Sequence, residues 1–161
     1  MEKNDTIKKI GELIKDIRTC MFVTQDNNRM FIARPMSTQD TVFDGSVWFM
    51  TDKRSNKCKQ IEANPTVGLE YSDGNGVTFV SLSGKGEFVH DKAKIKDFWN
   101  EFFKAWFEGP EDPNIILIEV KIVRAEYWDN KGGKLGGLAD IAIGAITGKT
   151  NTLDEHDIYT F

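Results

Sequence analysis

Four basic residues surround the start of one predicted helix. They are Lys53, Arg54, Lys57 and Lys59, within the segment FMTDKRSNKCKQIEANP from Phe49 to Pro65. This segment is typical of a strand end, a turn and a helix with Ser55 as its N-cap. A helix N-terminus carries partial positive charge, so each exposed cation there costs ~0.3–1 kcal/mol. A bound phosphate would make these cations favourable, because free backbone N–H groups, a serine hydroxyl and a lysine together form an anion site. The alternative is a solvated basic turn that binds nothing.

A single arginine lies inside an apolar predicted strand. Arg34 occurs in the sequence ARPM, Ala33 to Met36. An arginine in such a strand must pair, reach solvent or bind a ligand. Pairing with the strand SVWFMTD would bring it beside the basic turn, and its fork of N–H donors suits a phosphate. The alternative is an arginine on the outer face of the sheet.

Aromatic residues are abundant, with four tryptophans and eleven phenylalanines. Trp99, Phe102 and Phe103 are expected in the core, on the apolar stripe of one predicted helix. Trp106 ends that helix just before EGPEDP, and Trp128 ends a strand just before a glycine-rich loop. A tryptophan in such a place either flanks a planar ligand or packs. Both tryptophans are therefore candidate cofactor contacts.

Histidine, cysteine and glycine motifs indicate no familiar catalytic site. The two histidines, His90 and His156, have no metal-ligand spacing and suit no catalytic triad. The stretches GNGVT and GKGEF match neither a P-loop nor a dinucleotide fingerprint. Cys58 lies beside Lys57 near a helix N-terminus, which favours a thiolate, but we interpret it as a small apolar residue on the buried side. A flavin needs none of the missing residues, because it carries its own redox chemistry. No side chain stands out as a required acid or base, so the catalytic residues are unknown.

The composition indicates a single globular domain over residues 1–161. A net charge of −4 and a pI of about 5.3 argue against a general nucleic-acid-binding protein. No apolar run reaches the ~18–20 residues that span a membrane. The charged N-terminus is not a secretory signal, and two cysteines form no disulfide framework, so a cytoplasmic location fits best. The polar tail, about residues 149–161, is expected to be mobile.

The hydrophobic patterns predict an antiparallel β-barrel with flanking helices. Strands are expected at Thr19–Gln25, Met30–Ser37, Ser46–Asp52, Thr66–Asp73, Val77–Val89 and Ile115–Asp129. Helices are expected at about residues 5–17, at Asn56–Asn64 and, as one continuous helix, from Asp91 to Trp106, with a further short helix at Leu138–Thr147. The hairpin signal DGNG and the short connections favour antiparallel pairing, whereas a parallel sheet would need more helices.

Taken in order, these segments resemble the pyridoxamine 5′-phosphate oxidase-like flavoproteins, and within them the general stress protein 26 branch. The resemblance rests on ARPM, SVWFMTD, SNKCKQIEANPTVGLEY, VSLSGKGEFVHDKAKIKDFW, AWF and IEVKIVRAEYWD, and it runs from about Thr19 to Leu138. It implies a mainly β fold, a six-stranded antiparallel split β-barrel that binds FMN. It also implies a homodimer that holds the flavin between its subunits.

The resemblance assigns cofactor contacts on two strands. Arg34 matches an arginine near the flavin phosphate. Pro35 and Met36 match the backbone that runs along the isoalloxazine. Met50 and Thr51 match a residue pair beside the ring and the ribityl chain.

Further contacts are implied at the basic helix start and at the last strand. Ser55 and Lys57 match a serine and a lysine that hold the phosphate. The family oxidases often have an arginine just before that lysine, where this chain has Asn56, and Arg54 is expected to substitute for it. Trp128 matches a tryptophan close to the cofactor, contributed by the other subunit.

The function implied by the resemblance is flavin-dependent redox chemistry on a small molecule, with a role in the general stress response. A non-catalytic flavin-binding or sensing protein is an alternative, as is a split barrel that holds haem or a deazaflavin. Haem is disfavoured because His90 and His156 are the only histidine candidates for an axial ligand. Efficient oxidation of pyridoxamine phosphate is not expected. The oxidases follow their cofactor tryptophan with an Arg-Leu-His-Asp-Arg type run, whereas Trp128 is followed by DNKGGKLGGL.

Overall fold

The computed structural model describes residues 3–74, 78–129 and 155–160. In these ranges seven strands form one antiparallel sheet, flanked by three α-helices and a 3₁₀ helix. The strands are β1 (Thr19–Gln25), β2 (Phe31–Ser37), β3 (Ser46–Asp52), β4 (Thr66–Ser72), β5 (Thr78–Val89), β6 (Ile115–Asp129) and β7 (Glu155–Thr160). The helices are α1 (Lys3–Ile17), α2 (Asn56–Ala63), α3 (Lys92–Phe98) and the 3₁₀ helix (Glu101–Ala105).

The strand order β2-β1-β4-β5-β6-β3 leaves β2 and β3 at the two ends of the sheet. β6 pairs with β5 along one edge, while its other edge pairs with β3 through Ile115–Lys121 and then with β7 through Arg124–Asp129. After β2 the chain contacts β3 through a hydrogen bond from the backbone N–H of Gln39 to the carbonyl of Trp48, at 2.9 Å. The sheet is a curled half-barrel, which confirms the predicted mainly β split barrel with flanking helices.

The buried side chains form two clusters, and the second of them holds the 3₁₀ helix next to the end of β3. The main core lies inside the curl, where α1 packs Ile10 and Ile14 against the sheet and Phe22 meets Phe49. A second cluster consists of Met50, Ile95, Phe103, Phe107, Ile115 and Leu117. The first four residues of β6 are all buried. Ile115 and Leu117 belong to the second cluster, and Ile118 belongs to the main core. The 3₁₀ helix is therefore anchored by buried phenylalanines beside β3.

The prediction of one continuous helix from Asp91 to Trp106 is wrong. α3 ends at Phe98, and the 3₁₀ helix begins after Asn100, whose side-chain oxygen accepts a hydrogen bond from the backbone N–H of Phe102 at 3.0 Å. An asparagine cap of this kind starts a new helical turn in place of continuing the old one. The interruption turns Phe102 outward, 65% exposed, so its predicted core position is also wrong. Phe103 is buried as expected.

A seventh strand, β7, lies within the segment that was expected to be a polar tail. Its backbone pairs antiparallel with the second half of β6, so the described sheet has one strand more than the sequence predicts. The expected mobility of residues 149–161 stays a prediction. The predicted helix at Leu138–Thr147 lies outside the described residues, as does the loop after Trp128. None of the helices in the described ranges is long and apolar enough to cross a membrane.

Candidate functional site

A cleft of about 460 Å³ lies between β2, β3 and the 3₁₀ helix. Its lining residues are Thr19, Arg34, Pro35, Met36, Ser37, Met50, Thr51, Asp52, Lys57, Phe102, Phe103, Trp106 and Phe107. Seven of the ten predicted cofactor contacts are among them; Arg54, Ser55 and Trp128 are not. The volume falls within the range of about 300–1,000 Å³ that is usual for small-molecule and cofactor sites.

Arg34 is held on the inner face of β2 by three neutral acceptors. It lies opposite Phe22 of β1 in the sheet register. Its guanidinium donates to the hydroxyl of Thr24 at 2.7 Å, to the carbonyl of Phe22 at 3.3 Å and to Oε1 of Gln60 at 2.9 Å. Partial burial lowers the pKa of Arg34 from its usual value. The position of this arginine is thus fixed by β1 and α2, without a carboxylate.

Lys57 lies in the first turn of α2 and is half-buried. Its ammonium donates to the hydroxyl of Thr51 at 2.9 Å, at the end of β3. Burial is the main reason why the pKa of Lys57 is lowered, and the nearby Arg34 charge lowers it further. Two cations therefore face one cleft, each disfavoured by desolvation and each bonded to neutral groups.

The carboxylate nearest to these cations in the cleft lining, Asp52, is already paired. Arg54 binds it through two N–H groups, with Nε at 3.0 Å from Oδ1 and Nη2 at 2.6 Å from Oδ2. This pairing lowers the pKa of Asp52 to about 2. Within the described ranges, none of the ion pairs includes Arg34 or Lys57. An anion in the cleft would thus meet two cations that are in none of the ion pairs of the described ranges.

Ser55 occupies the N-cap position of α2, as predicted, but its hydroxyl makes no cap hydrogen bond. The hydroxyl donates instead to the sulfur of Cys58 at 3.4 Å. Cys58 is buried, and burial raises the pKa of its thiol more than Ser55 and Lys57 lower it. The interpretation of Cys58 as a small buried residue is confirmed. The predicted phosphate contacts of Ser55 and Arg54 stay predictions.

The free edge of β2 and the buried end of β3 face each other across the cleft. β2 pairs with β1 on one side, and the residue at its cleft side, Pro35, has no N–H to donate to a further strand, which is typical of edge strands. Met36 is half-buried, while Met50 and Thr51 on β3 are 5% and 6% exposed. The floor of the cleft is therefore formed by buried residues at the end of β3, beside the edge of β2.

The sequence predicted only some of the aromatic residues that line the cleft. Trp106, a predicted contact, lines the cleft together with Phe102, which the sequence had placed in the core. Asn100, a good cap residue in the middle of the apolar stripe, is the signal that could have indicated the turn. Trp128 is half-buried in the second half of β6, opposite Phe79 of β5, and it is not among the lining residues of this cleft.

Thr24 and Gln60 hold the Arg34 side chain, a role that was not predicted from the sequence. The Thr24 hydroxyl donates to Oε1 of Gln60 at 2.6 Å, and both side chains accept from Arg34. Thr24 shares the inward face of β1 with Phe22, since side chains alternate along a strand. That alternation could have indicated Thr24, whereas Gln60 becomes visible only when α2 is packed on β1.

The cleft lining combines a polar group, formed by Arg34, Lys57 and the hydroxyl of Thr51, with the aromatic side chains of Phe102, Phe103, Trp106 and Phe107. In the described ranges, no group of three or more His, Cys, Asp or Glu could hold a metal ion. The lining contains no histidine, and its carboxylate is held ionised by Arg54. The cations suit an anionic group such as a phosphate, and the buried end of β3 and the phenylalanines behind it suit an apolar group.

Comparison with known proteins identifies the family of this chain. Residues 5–152 match the family model described as pyridoxamine 5′-phosphate oxidase like. General stress protein 26 of Bacillus subtilis is 34% identical over 94 residues, which cover 55% of this chain and 66% of that protein. The solved structure of general stress protein 26 from Bacillus anthracis is 27% identical with a TM-score of 0.69, covering 76% of this chain and 92% of the other. A general stress FMN/FAD binding protein from Xanthomonas citri is 27% identical with a TM-score of 0.68, covering 80% and 92%. The chain belongs to the pyridoxamine 5′-phosphate oxidase like family, in its general stress protein 26 branch.

Proposed function

We propose that this protein binds FMN in the cleft and carries out flavin-dependent redox chemistry on a small molecule. The observation that carries the proposal is the pair of cations, Arg34 and Lys57, that face the cleft without a carboxylate partner among the described residues. Keeping two like charges there is unfavourable unless a ligand supplies the opposite charge. The Xanthomonas citri relative, described as FMN/FAD binding, supports a flavin as that ligand.

The residues present fit FMN. Lys57 would give the phosphate a mobile point charge, and Arg34 would give it a fixed fork of donors. Thr24 and Gln60 hold that fork in place, and the Arg54–Asp52 pair keeps the Asp52 carboxylate from repelling the phosphate.

The rest of the cofactor would lie between the strands. Pro35 and Met36 at the β2 edge and Met50 and Thr51 at the end of β3 would contact the isoalloxazine and the ribityl chain, as the family resemblance implies. The bound flavin supplies electron transfer, so the protein itself needs only to bind, orient and shield it.

A homodimer with the cofactor at its interface is the second part of the proposal. Trp128 is expected near the flavin, yet it lies 11 residues along β6 from Leu117, the partner of Met50. At ~3.3 Å per residue this is about 36 Å of strand, so the tryptophan of the same chain is remote from the cleft. β1 and β2 also expose Met21, Phe31 and Ile32 by 43%, 75% and 37%. A second copy could cover these side chains and contribute its Trp128.

A role in the general stress response belongs to the same proposal, by analogy with the general stress protein 26 relatives. A cytoplasmic location is proposed from the sequence alone. The prediction that the protein is an inefficient pyridoxamine-phosphate oxidase rests on Lys134–Gly137. These residues lie outside the described ranges, so it stays a prediction.

The proposal is tested by titrating ligand-free protein with FMN and with riboflavin while following flavin fluorescence. We expect FMN to bind at least tenfold more tightly, because charge-assisted hydrogen bonds to the phosphate are worth ~1.5–3 kcal/mol each. No binding, or equal affinity for both flavins, would contradict it.

The absorption spectrum and mass of the ligand released from purified protein distinguish FMN from a deazaflavin or haem. Turnover of a reductant faster than by free FMN separates an enzyme from a sensing protein.

A further inference from the structure

Two aromatic side chains at the mouth of the cleft are more exposed than their size favours. Phe102 is 65% exposed and Trp106 is 62% exposed. Their ring centroids are 5.0 Å apart with planes inclined at 57°, so the two rings form one continuous aromatic surface, here called the aromatic rim. Exposed aromatic surface of this kind commonly marks a binding site.

The turn that carries the aromatic rim is anchored from the inside. Phe103 and Phe107, the neighbours of the two rim residues, are 9% and 7% exposed and pack with Met50 and Leu117. The side chain of Asn100 caps the first turn. The exposed position of the rim is thus fixed by the packing of Phe103 and Phe107 beneath it.

The rim is apolar and its local charges are balanced. Glu101 and Lys104 of the same 3₁₀ helix form an ion pair with each other. The cations Arg34 and Lys57 are bonded to β1, α2 and β3, and not to the 3₁₀ helix. A charged ligand at the rim would have to compete with the Glu101–Lys104 ion pair, whereas a flat uncharged ring would gain stacking contacts.

We infer that the aromatic rim binds a planar, uncharged conjugated molecule as the substrate that meets the flavin. This inference rests on the proposed function. A cofactor retained by its phosphate would occupy the part of the cleft built from residues that are already buried, Met50 and Thr51. A substrate must enter and leave, and the exposed rim is where it can do so. Trp106, a predicted cofactor contact, would then determine substrate specificity together with Phe102.

The experiment measures binding to oxidised, FMN-loaded protein by equilibrium dialysis. The probe is 2,3-dimethyl-1,4-naphthoquinone, which is planar and has no free ring position for thiol addition. The control ligand is camphorquinone, a compact diketone of similar size that is not planar. The variants are Trp106→Ala, Phe102→Ala and the double variant, with Trp106→Phe as the conservative replacement. Val42→Ala is the matched control, because Val42 is also exposed, by 91%, and lies outside the cleft lining.

We expect wild-type protein to bind the naphthoquinone and not camphorquinone. Either alanine substitution should weaken naphthoquinone binding about tenfold, and Trp106→Phe should restore most of it. FMN affinity and molecular mass should stay as in wild type. Unchanged naphthoquinone binding in the double variant would overturn the inference. A parallel loss of FMN affinity would overturn it in favour of a cofactor contact, and a change in mass would overturn it in favour of a subunit contact. Failure of wild-type protein to bind FMN overturns the proposed function, whereas failure of FMN-loaded protein to bind the quinone overturns this inference alone.

Discussion

At the residue scale, Lys57 is the side chain on which the phosphate site depends most directly. Its ammonium is desolvated and bonded only to the Thr51 hydroxyl, at 2.9 Å, among the described residues. Lys57→Ala should weaken FMN binding roughly ten- to a hundredfold, since a charge-assisted hydrogen bond is worth ~1.5–3 kcal/mol. Riboflavin affinity should hardly change. The control is Lys59→Ala, an exposed lysine on the same helix. Equal FMN affinity of wild type and Lys57→Ala in a fluorescence titration would exclude this contact.

The charges of Lys57 and of the FMN phosphate together predict how FMN affinity depends on pH. A phosphomonoester loses its second proton with a pKa of about 6, so the dianion that two cations prefer disappears as pH falls below that value. Burial lowers the pKa of Lys57, so the lysine loses its proton at a lower pH than an exposed lysine does. Affinity should therefore fall as pH drops below about 6, and it should fall again as pH rises through the lowered pKa of Lys57. Lys57→Ala should remove only the alkaline decline. Titrations across acidic and alkaline pH check this, and an identical profile for riboflavin would contradict it.

At the element scale, the tight contact between β5 and β6 predicts a stability effect. β5 shifts register between Ser83 and Gly84, and a Cβ on Gly84 would lie 2.4 Å from the carbonyl oxygen of Lys121. Backbone must move to relieve such a contact, so Gly84→Ala should lower the free energy of unfolding by about 1–3 kcal/mol. Gly109→Ala is the matched control, because nothing lies within 4 Å of its added Cβ. Urea denaturation measures both, and equal stability of the two variants would show that the bulge can relax.

The first six strands were largely predictable from the sequence, because they are rich in apolar and β-branched residues, are bounded by turn residues and, as in β1 and β4, alternate between buried and exposed positions. The break between α3 and the 3₁₀ helix was not. Apolar residues continue at helical spacing through Trp99 and Phe102, and the side-chain hydrogen bond of Asn100 overrides that spacing. β7 was missed because its segment is polar, and only pairing with β6 makes it a strand.

In the candidate site, too, some contacts were predictable from the sequence and others were not. Lys57 and Thr51 could be predicted together, since Lys57 follows Thr51 by six positions across the end of β3, a turn and the start of α2. Whether Arg34 faces inward could not, because that depends on its register opposite Phe22 and on acceptors from β1 and α2. Local patterns thus predicted residue types and elements, whereas contacts between distant elements required the folded chain.

At the scale of the whole molecule, the proposed dimer makes the origin of Trp128 testable. Each cleft should take Lys57 from one subunit and Trp128 from the other, because β6 carries Trp128 away from the β3 end that lines the cleft. Light scattering of FMN-loaded protein at micromolar concentration should first give the mass of a dimer. Two variants, Lys57→Ala and Trp128→Ala, are then purified with different affinity tags, and each should bind FMN weakly at both sites.

The mixed dimer of these two variants distinguishes the arrangements. If Trp128 acts across the interface, one cleft of the mixed dimer receives both substitutions and the other receives none. FMN titration of the doubly tagged species should then recover one site of wild-type affinity per dimer. If Trp128 acted within its own subunit, every cleft would carry one substitution and no wild-type site would return. Mixed dimers of Lys57→Ala with wild-type protein provide the reference. Whichever subunit supplies Trp128, one of their two clefts carries no substitution, so they should show one site of wild-type affinity. Recovery in that reference but not in the doubly substituted dimer would place Trp128 outside the partner's cleft and overturn the shared site.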